Sequence, residues 1–313
     1  MDMNLRRSVW SDRVAAIRVN ERPESTVHTD RIAVALTAAI SGLMIAASAI
    51  GIAVPDLYRE GPWAREAFRG GDVVTLALVA PVLMASMILA RRGSVRATVV
   101  WIGALAYAIY NYAYYVFGAS FNDAFLIHIA IFSASIFALV MAVWSVDITS
   151  MAERLRRPRL ARWIGAFLVL VGVGQGGLWV FMILRYVATG EALADIPVRG
   201  QHVVFALDLS LLVPALVVSG GLLWRRTPIG YVAAAIVCVT GSLVLLNLLL
   251  AGAFQANADV AGVKAFPPEG VAMTVGMIAS TALLLGHRTK TVGGNQRALR
   301  RSEFQPSSLS SSA

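Results

Sequence analysis

One acidic residue inside a long apolar run is the side chain of this sequence with the strongest chemical implication. Asp208 lies in "HVVFALDLSLL", and its neighbours one helical turn away are all apolar. A carboxylate there must find a cation, water or a proton, because an unpaired buried charge is costly. We therefore predict that Asp208 faces the interior of a helix bundle and is paired with Arg185 or hydrogen-bonded to His128. Such an acid either braces two helices or binds a proton or cation.

Tyrosines dominate another of the apolar runs, "YAIYNYAYYVFG". Four of its polar side chains are spaced i, i+3, i+4 and i+7 and so share one helical face, namely Tyr107, Tyr110, Asn111 and Tyr114. We predict that this stripe faces protein, either as helix packing or as one wall of a cavity. Tyr112 and Tyr115 point elsewhere and fit the aromatic belt at the membrane surface.

Further polar residues at comparable depth complete a candidate binding site. Gln175 and Trp179 are spaced i and i+4, and Thr240 and Asn247 share one face of a later run. A GxxxG pattern, formed by Gly172 and Gly176, favours close helix packing. We predict an outward-facing polar cavity whose candidate binding residues are Asp208, His128, Asn111, Tyr107, Tyr110, Tyr114, Gln175, Arg185 and Asn247.

No familiar enzyme signature accompanies these residues. The sequence contains no HExxH, CxxC, nucleophile-elbow or phosphate-loop pattern, so no catalytic residue is assigned and no cofactor is predicted. Haem held by His128 and His202 is one weaker alternative. A metal ion held by His128 with carboxylates is another, the carboxylates being Asp72, Asp123 and Asp208.

Composition places all of these residues in a membrane. Of the 313 residues, 58% are hydrophobic and 14% are charged, and the mean hydropathy of +0.69 is too high for an ordinary soluble domain. Apolar stretches that can span a bilayer need about 20 residues each, and we find eight. They are 32–54, 73–90, 98–118, 124–146, 163–187, 203–224, 230–254 and 270–286. The sequence therefore predicts an all-α polytopic bundle of about eight transmembrane helices.

Basic residues predict how the chain is oriented. If the loops alternate between the two sides, 21 of the 27 Lys and Arg residues fall on the side that carries both termini. Since basic loops are retained in the cytoplasm, we predict that both termini are cytoplasmic. This bias also accounts for the net charge of +9, so nucleic acid is not an expected partner. The expected partners are the lipid bilayer and a small-molecule or ion ligand, and the oligomeric state is left open.

The predicted spans divide the chain into five segments. A basic N-tail, 1–31, carries apolar residues at helical spacing, so it is either an amphipathic helix on the membrane or a solvated tail. Two four-helix units occupy 32–146 and 163–286, and the basic cytoplasmic linker 147–162 joins them. The first apolar run is longer than the core of a signal peptide, so we expect it to remain as a helix. The Ser-rich end, 287–313, is predicted to be a disordered cytoplasmic tail.

A short sequence repeat predicts that the two units are copies of each other. Residues 69–74 read "RGGDVV" and residues 199–204 read "RGQHVV", each at the start of the second helix of its unit. The arginine pair that follows has a proline ten or eleven residues before it and an asparagine 20 or 22 residues after it. We therefore expect a parallel four-plus-four duplication. Its equivalent residues would be Asp72 with His202 and Asn111 with Asn247.

Two stretches carry a likeness to other proteins, "LAYAIYNYAYYVFGASFNDAFLIHIAIF" at 105–132 and "HVVFALDLSLLVPALVVSG" at 202–220. On these residues the chain resembles a group of multi-pass bacterial membrane proteins with no assigned activity. The resemblance implies the same helical membrane topology and assigns no functional residue. Arginine outnumbers lysine by 25 to 2, which is typical of a high-GC bacterial genome. We therefore expect the chain in the plasma membrane of a bacterium.

Three classes of function fit these observations. The duplication and the convergence of polar groups favour a transporter or small-molecule-binding membrane protein with an outward-facing cavity. An integral-membrane enzyme or redox subunit would use His128 and Asp208 on a lipid-soluble or extracytoplasmic substrate. A structural or assembly subunit would use the polar groups only to hold helices together. A water-accessible cavity that reaches Asp208 and Asn111 would favour the first two classes, and a dry bundle the third.

Overall fold

The computed structural model describes residues 25–191 and 198–286, and every regular element in those ranges is a helix. We number the helices α1 to α9. In the first half, α1 is Ser25–Ala53, α2 is Pro62–Val74 continued by Thr75–Val79 and Ala80–Arg91, α3 is Val95–Phe117, and α4 is Phe125–Trp144. After the short helix α5, Ile148–Leu155, come α6, Pro158–Thr189, and α7, which is Val198–Leu207 continued by Asp208–Leu212 and Val213–Trp224. The last two are α8, Pro228–Asn257, and α9, Pro268–Leu285.

Within the described ranges, seven helices are long and apolar enough to cross a membrane, namely α1, α2, α4, α6, α7, α8 and α9. The chain is therefore an all-helical, multi-pass membrane protein. The remaining predicted span, 98–118, forms helix α3, which is 23 residues long. Five tyrosines and an asparagine make α3 less apolar than the other seven. Of the two predicted tails, 1–31 lies mostly and 287–313 wholly outside the described residues.

Helices α2 and α7 each contain one wide turn just ahead of a proline. The π-helical segment Thr75–Val79 precedes Pro81, and the segment Asp208–Leu212 precedes Pro214. Proline has no N–H to donate, and its ring crowds the carbonyl four residues earlier, so the chain makes room by widening the turn. The residue before each proline accordingly donates its N–H to the carbonyl five residues earlier. In α7 this wide turn begins at the buried acid Asp208.

Helix α3 occupies the centre of the bundle. It packs against α2, α4 and α8, and the start of α7 also touches it. Helix α1 completes the first unit by packing against α2 and α4. Consequently more than half of the residues of α3 are buried, including most of its tyrosines. Phenol groups enclosed in this way need hydrogen-bond partners inside the protein.

Helices α6 and α7 cross with their backbones nearly in contact. A β-carbon on Gly165 would lie 2.7 Å from the carbonyl oxygen of Gly220, and a β-carbon on Gly220 would lie 2.8 Å from that of Gly165. The predicted GxxxG contact is also confirmed, because a β-carbon on Gly172 or Gly176 would lie 2.9 Å from a valine of α7. Small residues let helices gain close van der Waals contact in lipid, where hydrophobic burial contributes little. α6 and α7 therefore form a tight hairpin.

The predicted linker 147–162 contains helix α5, whose apolar face packs against α8. Asp147 caps this helix, since its Oδ1 accepts hydrogen bonds from the N–H groups of Thr149 at 3.0 Å and Ser150 at 3.4 Å. The Ser150 hydroxyl donates to Oδ2 at 2.5 Å. The hydrogen bond from the Ser150 hydroxyl contributes most to lowering the pKa of Asp147, and the two backbone bonds add to it. The carboxylate therefore stays ionised at neutral pH.

Substitution of Gly165 by alanine tests the crossing of α6 and α7. The added methyl group would meet the backbone of Gly220 and Trp224, so we expect the free energy of unfolding to fall by about 1–3 kcal/mol. Gly177→Ala is the matched control on the same helix, since nothing lies within 4 Å of its β-carbon position. Thermal unfolding in detergent should show a lower Tm for Gly165→Ala alone. Equal Tm values for the two variants would contradict the close crossing.

Candidate functional site

Two buried carboxylates lie on different flanks of helix α3. Asp208 of α7 and Asp72 of α2 are each 2% exposed, and tyrosines of α3 donate hydrogen bonds to both. Neither acid has an ion-pair partner in the described part of the chain. The Asp208 cluster is defined as Asp208, Tyr110, Tyr114, Gln175, Trp179 and Phe205. The Asp72 cluster is defined as Asp72, Tyr58, Tyr112, Tyr115 and His128.

Side chains from two neighbouring helices hold the Asp208 carboxylate. Tyr110 of α3 donates its phenol hydrogen to Oδ1. Gln175 Nε2 and Trp179 Nε1, both on α6, donate to Oδ2 at 2.8 Å each. The Tyr114 hydroxyl lies 2.8 Å from the Tyr110 hydroxyl and extends the network. Both pairs have i, i+4 spacing, which places each pair on one helical face toward α7.

Aromatic rings enclose the same carboxylate. The Trp179 indole stacks on Phe205 of α7 with 4.5 Å between ring centroids. The rings of Tyr110 and Tyr114 meet edge to face at 5.3 Å. All donors to the acid are neutral, so its negative charge is hydrogen-bonded but not balanced. These surroundings allow the carboxylate to hold a proton or a positively charged ligand.

The predicted inward orientation of Asp208 is confirmed, but both of its predicted partners are wrong. Arg185 lies 3.7 Å from Glu191 in a largely solvent-exposed ion pair. It is ten residues beyond Gln175, which corresponds to about 15 Å along a helix, so α6 carries it well past the depth of Asp208. His128 belongs to α4 and packs against tyrosines on another flank of α3. The acid therefore has neutral partners in place of basic ones.

Tyrosines from a loop and from α3 hold the Asp72 carboxylate. Tyr58, in the connection between α1 and α2, donates to Oδ2 at 2.6 Å. The Tyr115 hydroxyl lies 3.2 Å from Oδ1 and 3.1 Å from the Phe68 carbonyl oxygen, so the two acceptors share one hydrogen. Burial, reinforced by the nearby Asp72 carboxylate, raises the pKa of Tyr58. The Tyr58 hydroxyl therefore keeps the proton that it donates.

Helix α3 turns its tyrosines toward protein. The predicted stripe is confirmed, since three of its members are buried and Tyr114 is half-buried. The prediction that Tyr112 and Tyr115 lie in a membrane-surface belt is wrong, because each is only 2% exposed. Helix α4 covers the flank that spacing alone assigned to the membrane surface, and its His128 packs against both rings.

His128 is the most enclosed ionisable side chain of the Asp72 cluster. It is 0% exposed, and neither ring nitrogen makes a hydrogen bond to the described residues. Its ring centroid lies 4.7 Å from that of Tyr115 and 5.9 Å from that of Tyr112. His202, the other candidate haem ligand, is exposed near the start of α7, and haem ligation stays a prediction. In 25–191 and 198–286 there is no group of three or more His, Cys, Asp or Glu side chains that could hold a metal ion.

An asparagine pair lies between the two clusters. Asn247 Nδ2 of α8 donates to Asn111 Oδ1 of α3 at 3.1 Å. Farther along the same helices, the Thr240 hydroxyl donates to the Gly103 carbonyl at 3.0 Å. The predicted common face of Thr240 and Asn247 is therefore confirmed, because both residues contact α3. A β-carbon on Gly103 would lie 2.7 Å from Val239, so the two helices are in close contact.

A cavity of about 300 Å³ lies between α2 and α8, but it differs from the predicted polar one. Its lining is apolar and contains none of the predicted site residues, being formed by Val73, Val74, Ala77, Leu78, Leu246, Leu249, Leu250 and Phe266. Of the predicted residues, four belong to the hydrogen-bonded Asp208 cluster and Asn111 bonds Asn247. Tyr107 and His128 are buried without a hydrogen bond to the described residues, and Arg185 is in an exposed ion pair. Sequence reasoning missed Tyr58, for which the loop "PDLYRE" gives no signal. It named Asp72 only as a possible metal ligand and as the counterpart of His202, although an acid at the start of an apolar run also signals a buried site.

Gly51→Ala should disrupt the Asp72 cluster. A β-carbon at position 51 would lie 1.9 Å from Asp72 Oδ2 and 2.7 Å from the Tyr58 hydroxyl, so at least one of them must move. We expect the free energy of unfolding to fall by about 1–3 kcal/mol. Gly42→Ala, on the same helix with nothing within 4 Å, should be neutral or slightly stabilising because alanine favours helix. Thermal unfolding of both variants checks this, and similar Tm values would count against the cluster.

Comparison of the chain with protein-family models, curated proteins and solved structures finds no match. The function of the two clusters is therefore inferred from their own geometry and chemistry. That chemistry consists of two buried acids, the tyrosines of one central helix, and donors that carry no positive charge.

Proposed function

We propose that this integral membrane protein is a transporter that binds a small organic cation at Asp208. One observation carries the proposal. The Asp208 carboxylate is 2% exposed and receives hydrogen bonds from Tyr110, Gln175 and Trp179, none of which is charged. A buried carboxylate gains most from an opposite charge, and no basic side chain of the described residues supplies one. A cationic ligand would supply it.

The shape and chemistry of the Asp208 cluster favour an organic cation over a metal ion. Two of the three donors are N–H groups, which cannot coordinate a metal ion, and hard cations require several oxygen ligands. Four aromatic rings, by contrast, lie around the acid. Aromatic faces attract ammonium groups by about 0.5–2 kcal/mol each, depending on desolvation. A carboxylate surrounded by aromatic rings therefore fits a substituted ammonium ion.

A two-fold relation between the four-helix units 32–146 and 163–286 supports a carrier. Asn111 and Asn247 are 136 positions apart and contact each other, and Gly103 contacts Val239 at the same separation. Equivalent residues meet only close to a symmetry axis, so such an axis would run between α3 and α8. Along α2 and α7, by contrast, the wide turns lie 133 positions apart, so there Asp208 is the equivalent of Thr75, and neither offset pairs Asp72 with the expected His202. Parallel repeats of this kind occur in known carriers.

The same proposal makes α3 the eighth span. Its 23 residues correspond to a length of about 34 Å, and it lies alongside α2 and α4. Its tyrosines face the neighbouring helices in place of lipid. Eight spans keep both termini on one side, and the basic residues assign that side to the cytoplasm. The proposed location is the plasma membrane of a bacterium.

Asp208 lies where the two proposed units meet, so its occupancy can be coupled to their movement. Tyr110 belongs to the first unit, whereas Asp208 and its donors Gln175 and Trp179 belong to the second. A cation or a proton on the carboxylate competes with the Tyr110 hydrogen bond and weakens this contact between the units. The two units can then rock about the site and expose it to the other side. Competition between proton and cation for one carboxylate makes the protein an exchanger.

Binding of radiolabelled tetraethylammonium to the purified protein tests this function. We expect Asp208→Asn to weaken binding at least about tenfold, which corresponds to about 1.4 kcal/mol, because the attracting charge is lost. Binding to the unmodified protein should also decline as the pH falls and the carboxylate takes up a proton. Asp123→Asn, which neutralises an exposed acid, is the matched control and should bind normally. Binding that is unchanged in Asp208→Asn would overturn the proposal, as would a lack of binding at every pH.

Trp179→Leu tests the aromatic part of the site. Removal of the indole ring should weaken tetraethylammonium binding several-fold, since a cation–π contact contributes about 0.5–2 kcal/mol. Trp144→Leu is the control, because Trp144 of α4 is 82% exposed and lies outside the cluster. Equilibrium dialysis at neutral pH measures both. Equal affinities for the two variants would show that the ring does not contact the cation.

A further inference from the structure

The unit formed by α1 to α4 contains buried polar side chains that the Asp208 cluster does not use. Five of them make no hydrogen bond to the described residues, namely Ser48 of α1, Thr75 of α2, Tyr107 of α3, and His128 and Ser135 of α4. None is more than 1% exposed. We call these five side chains the α1–α4 interior. Buried polar groups in folded proteins almost always have a partner, which is often an internal water molecule.

Other hydroxyl groups of the spans satisfy themselves within their own helix. Thr37, Ser41 and Ser242 each donate to the carbonyl four residues earlier, at 2.7 to 2.9 Å. The two serines and the threonine of the α1–α4 interior do not. Their hydroxyl groups therefore turn away from their own helix toward the space between the helices.

The α1–α4 interior extends away from the Asp72 carboxylate. The Ser48 hydroxyl lies close to Asp72 and Tyr112 but forms a well-aligned hydrogen bond with neither. The Tyr107 and Thr75 hydroxyls lie close to each other and are likewise not well aligned. Thr75 is one turn beyond Asp72 on α2. On α4, Ser135 is seven residues beyond His128, which corresponds to about 10 Å. The polar groups thus continue from the acid toward the middle of the membrane.

We propose that the α1–α4 interior lines a water-filled chamber in which Asp72 binds and releases a proton. Water fits the five side chains because hydroxyl and imidazole groups are both donors and acceptors, as water is. A metal ion fits them less well, since the hydrogens of Tyr58 and Tyr115 already point at the two oxygens of Asp72. The chamber is separate from the Asp208 cluster, so the proposal does not depend on cation binding there.

The proton transfer involves one acid and neutral surroundings. The groups that face Asp72 are Tyr58 of the α1–α2 loop and Tyr107, Tyr112 and Tyr115 of α3. His128 of α4 packs against the rings of Tyr112 and Tyr115. The Asp72 carboxylate takes a proton from a hydronium ion, which leaves a water molecule, and release reverses this step. Tyr58 and Tyr115 hold the ionised form by hydrogen bonds, and chamber water carries the proton to and from the acid.

Removal of a hydroxyl group without change of shape distinguishes a wet chamber from a dry one. If Thr75 bonds water, Thr75→Val should lower the Tm, as should Thr274→Val, whose hydroxyl bonds the Gly270 carbonyl at 2.7 Å and calibrates the effect. If the Thr75 hydroxyl has no partner at all, its removal relieves an unfavourable burial and raises the Tm. A raised Tm for Thr75→Val would overturn the proposal.

Infrared spectroscopy tests the proton on Asp72 directly. On acidification we expect a protonated-carboxyl band that is missing in Asp72→Asn, persists in Asp208→Asn, and shifts promptly in D2O because water reaches the acid. If no Asp72-dependent band forms at any pH, or if the band does not shift in D2O, the proposal is wrong. Failure of tetraethylammonium to bind while this band behaves as expected would refute only the transporter proposal.

Discussion

A carboxylate inside a bilayer must receive hydrogen bonds from within the protein, and helix α3 supplies them to Asp72 and Asp208. Tyr110 donates to Asp208 on one flank of the helix and Tyr115 donates to Asp72 on another. The step of five positions from Tyr110 to Tyr115 corresponds to a net rotation of about 140° at 3.6 residues per turn. One helix can therefore serve two neighbours, provided that it is enclosed on nearly all sides. This requirement explains why the least apolar of the long helices lies at the centre of the bundle.

Backbone features bring each acid to its donors. Gly51 lets α1 approach so closely that Asp72 and Tyr58 occupy the space of its missing side chain. In α7, Pro214 forces a wide turn that begins at Asp208. A wide turn rotates the residues before it relative to those after it, so the proline helps to set the direction in which the acid points. A glycine and a proline thus contribute to the two clusters without donating a hydrogen bond.

Composition and periodicity predicted the all-helical membrane fold, the stripe on α3 and the glycine contact of α6, because each depends on residues within one helix. Partners on different helices were not predictable in the same way. Arg185 and Asp208 were matched by the ends of their apolar runs, but α6 is 32 residues long and carries Arg185 away from the acid. The burial of Tyr112 and Tyr115 depends on where α4 packs, and the spacing of residues within α3 gives no information about that position. Eight apolar spans were predicted, whereas seven of the described helices are apolar enough to cross a membrane. The difference is α3, whose polar side chains face its neighbours and lower its own hydropathy.

The glycine crossing of α6 and α7 has a consequence for motion in a membrane. Backbone contact at Gly165 and Gly220 makes α6 and α7 a closely packed pair that moves as one body. The opposite face of α6 presents Phe181 and Leu184, each at least 60% exposed, to hydrocarbon. In water, displacement of such a face would expose new apolar surface and be resisted. In hydrocarbon the solvent is equally favourable at the start and the end of the displacement, so the pair is held in place by its packing against α8 and by its polar contact with α3. Of the hydrogen bonds of Asp208, the one from Tyr110 is the bond that joins this pair of helices to α3.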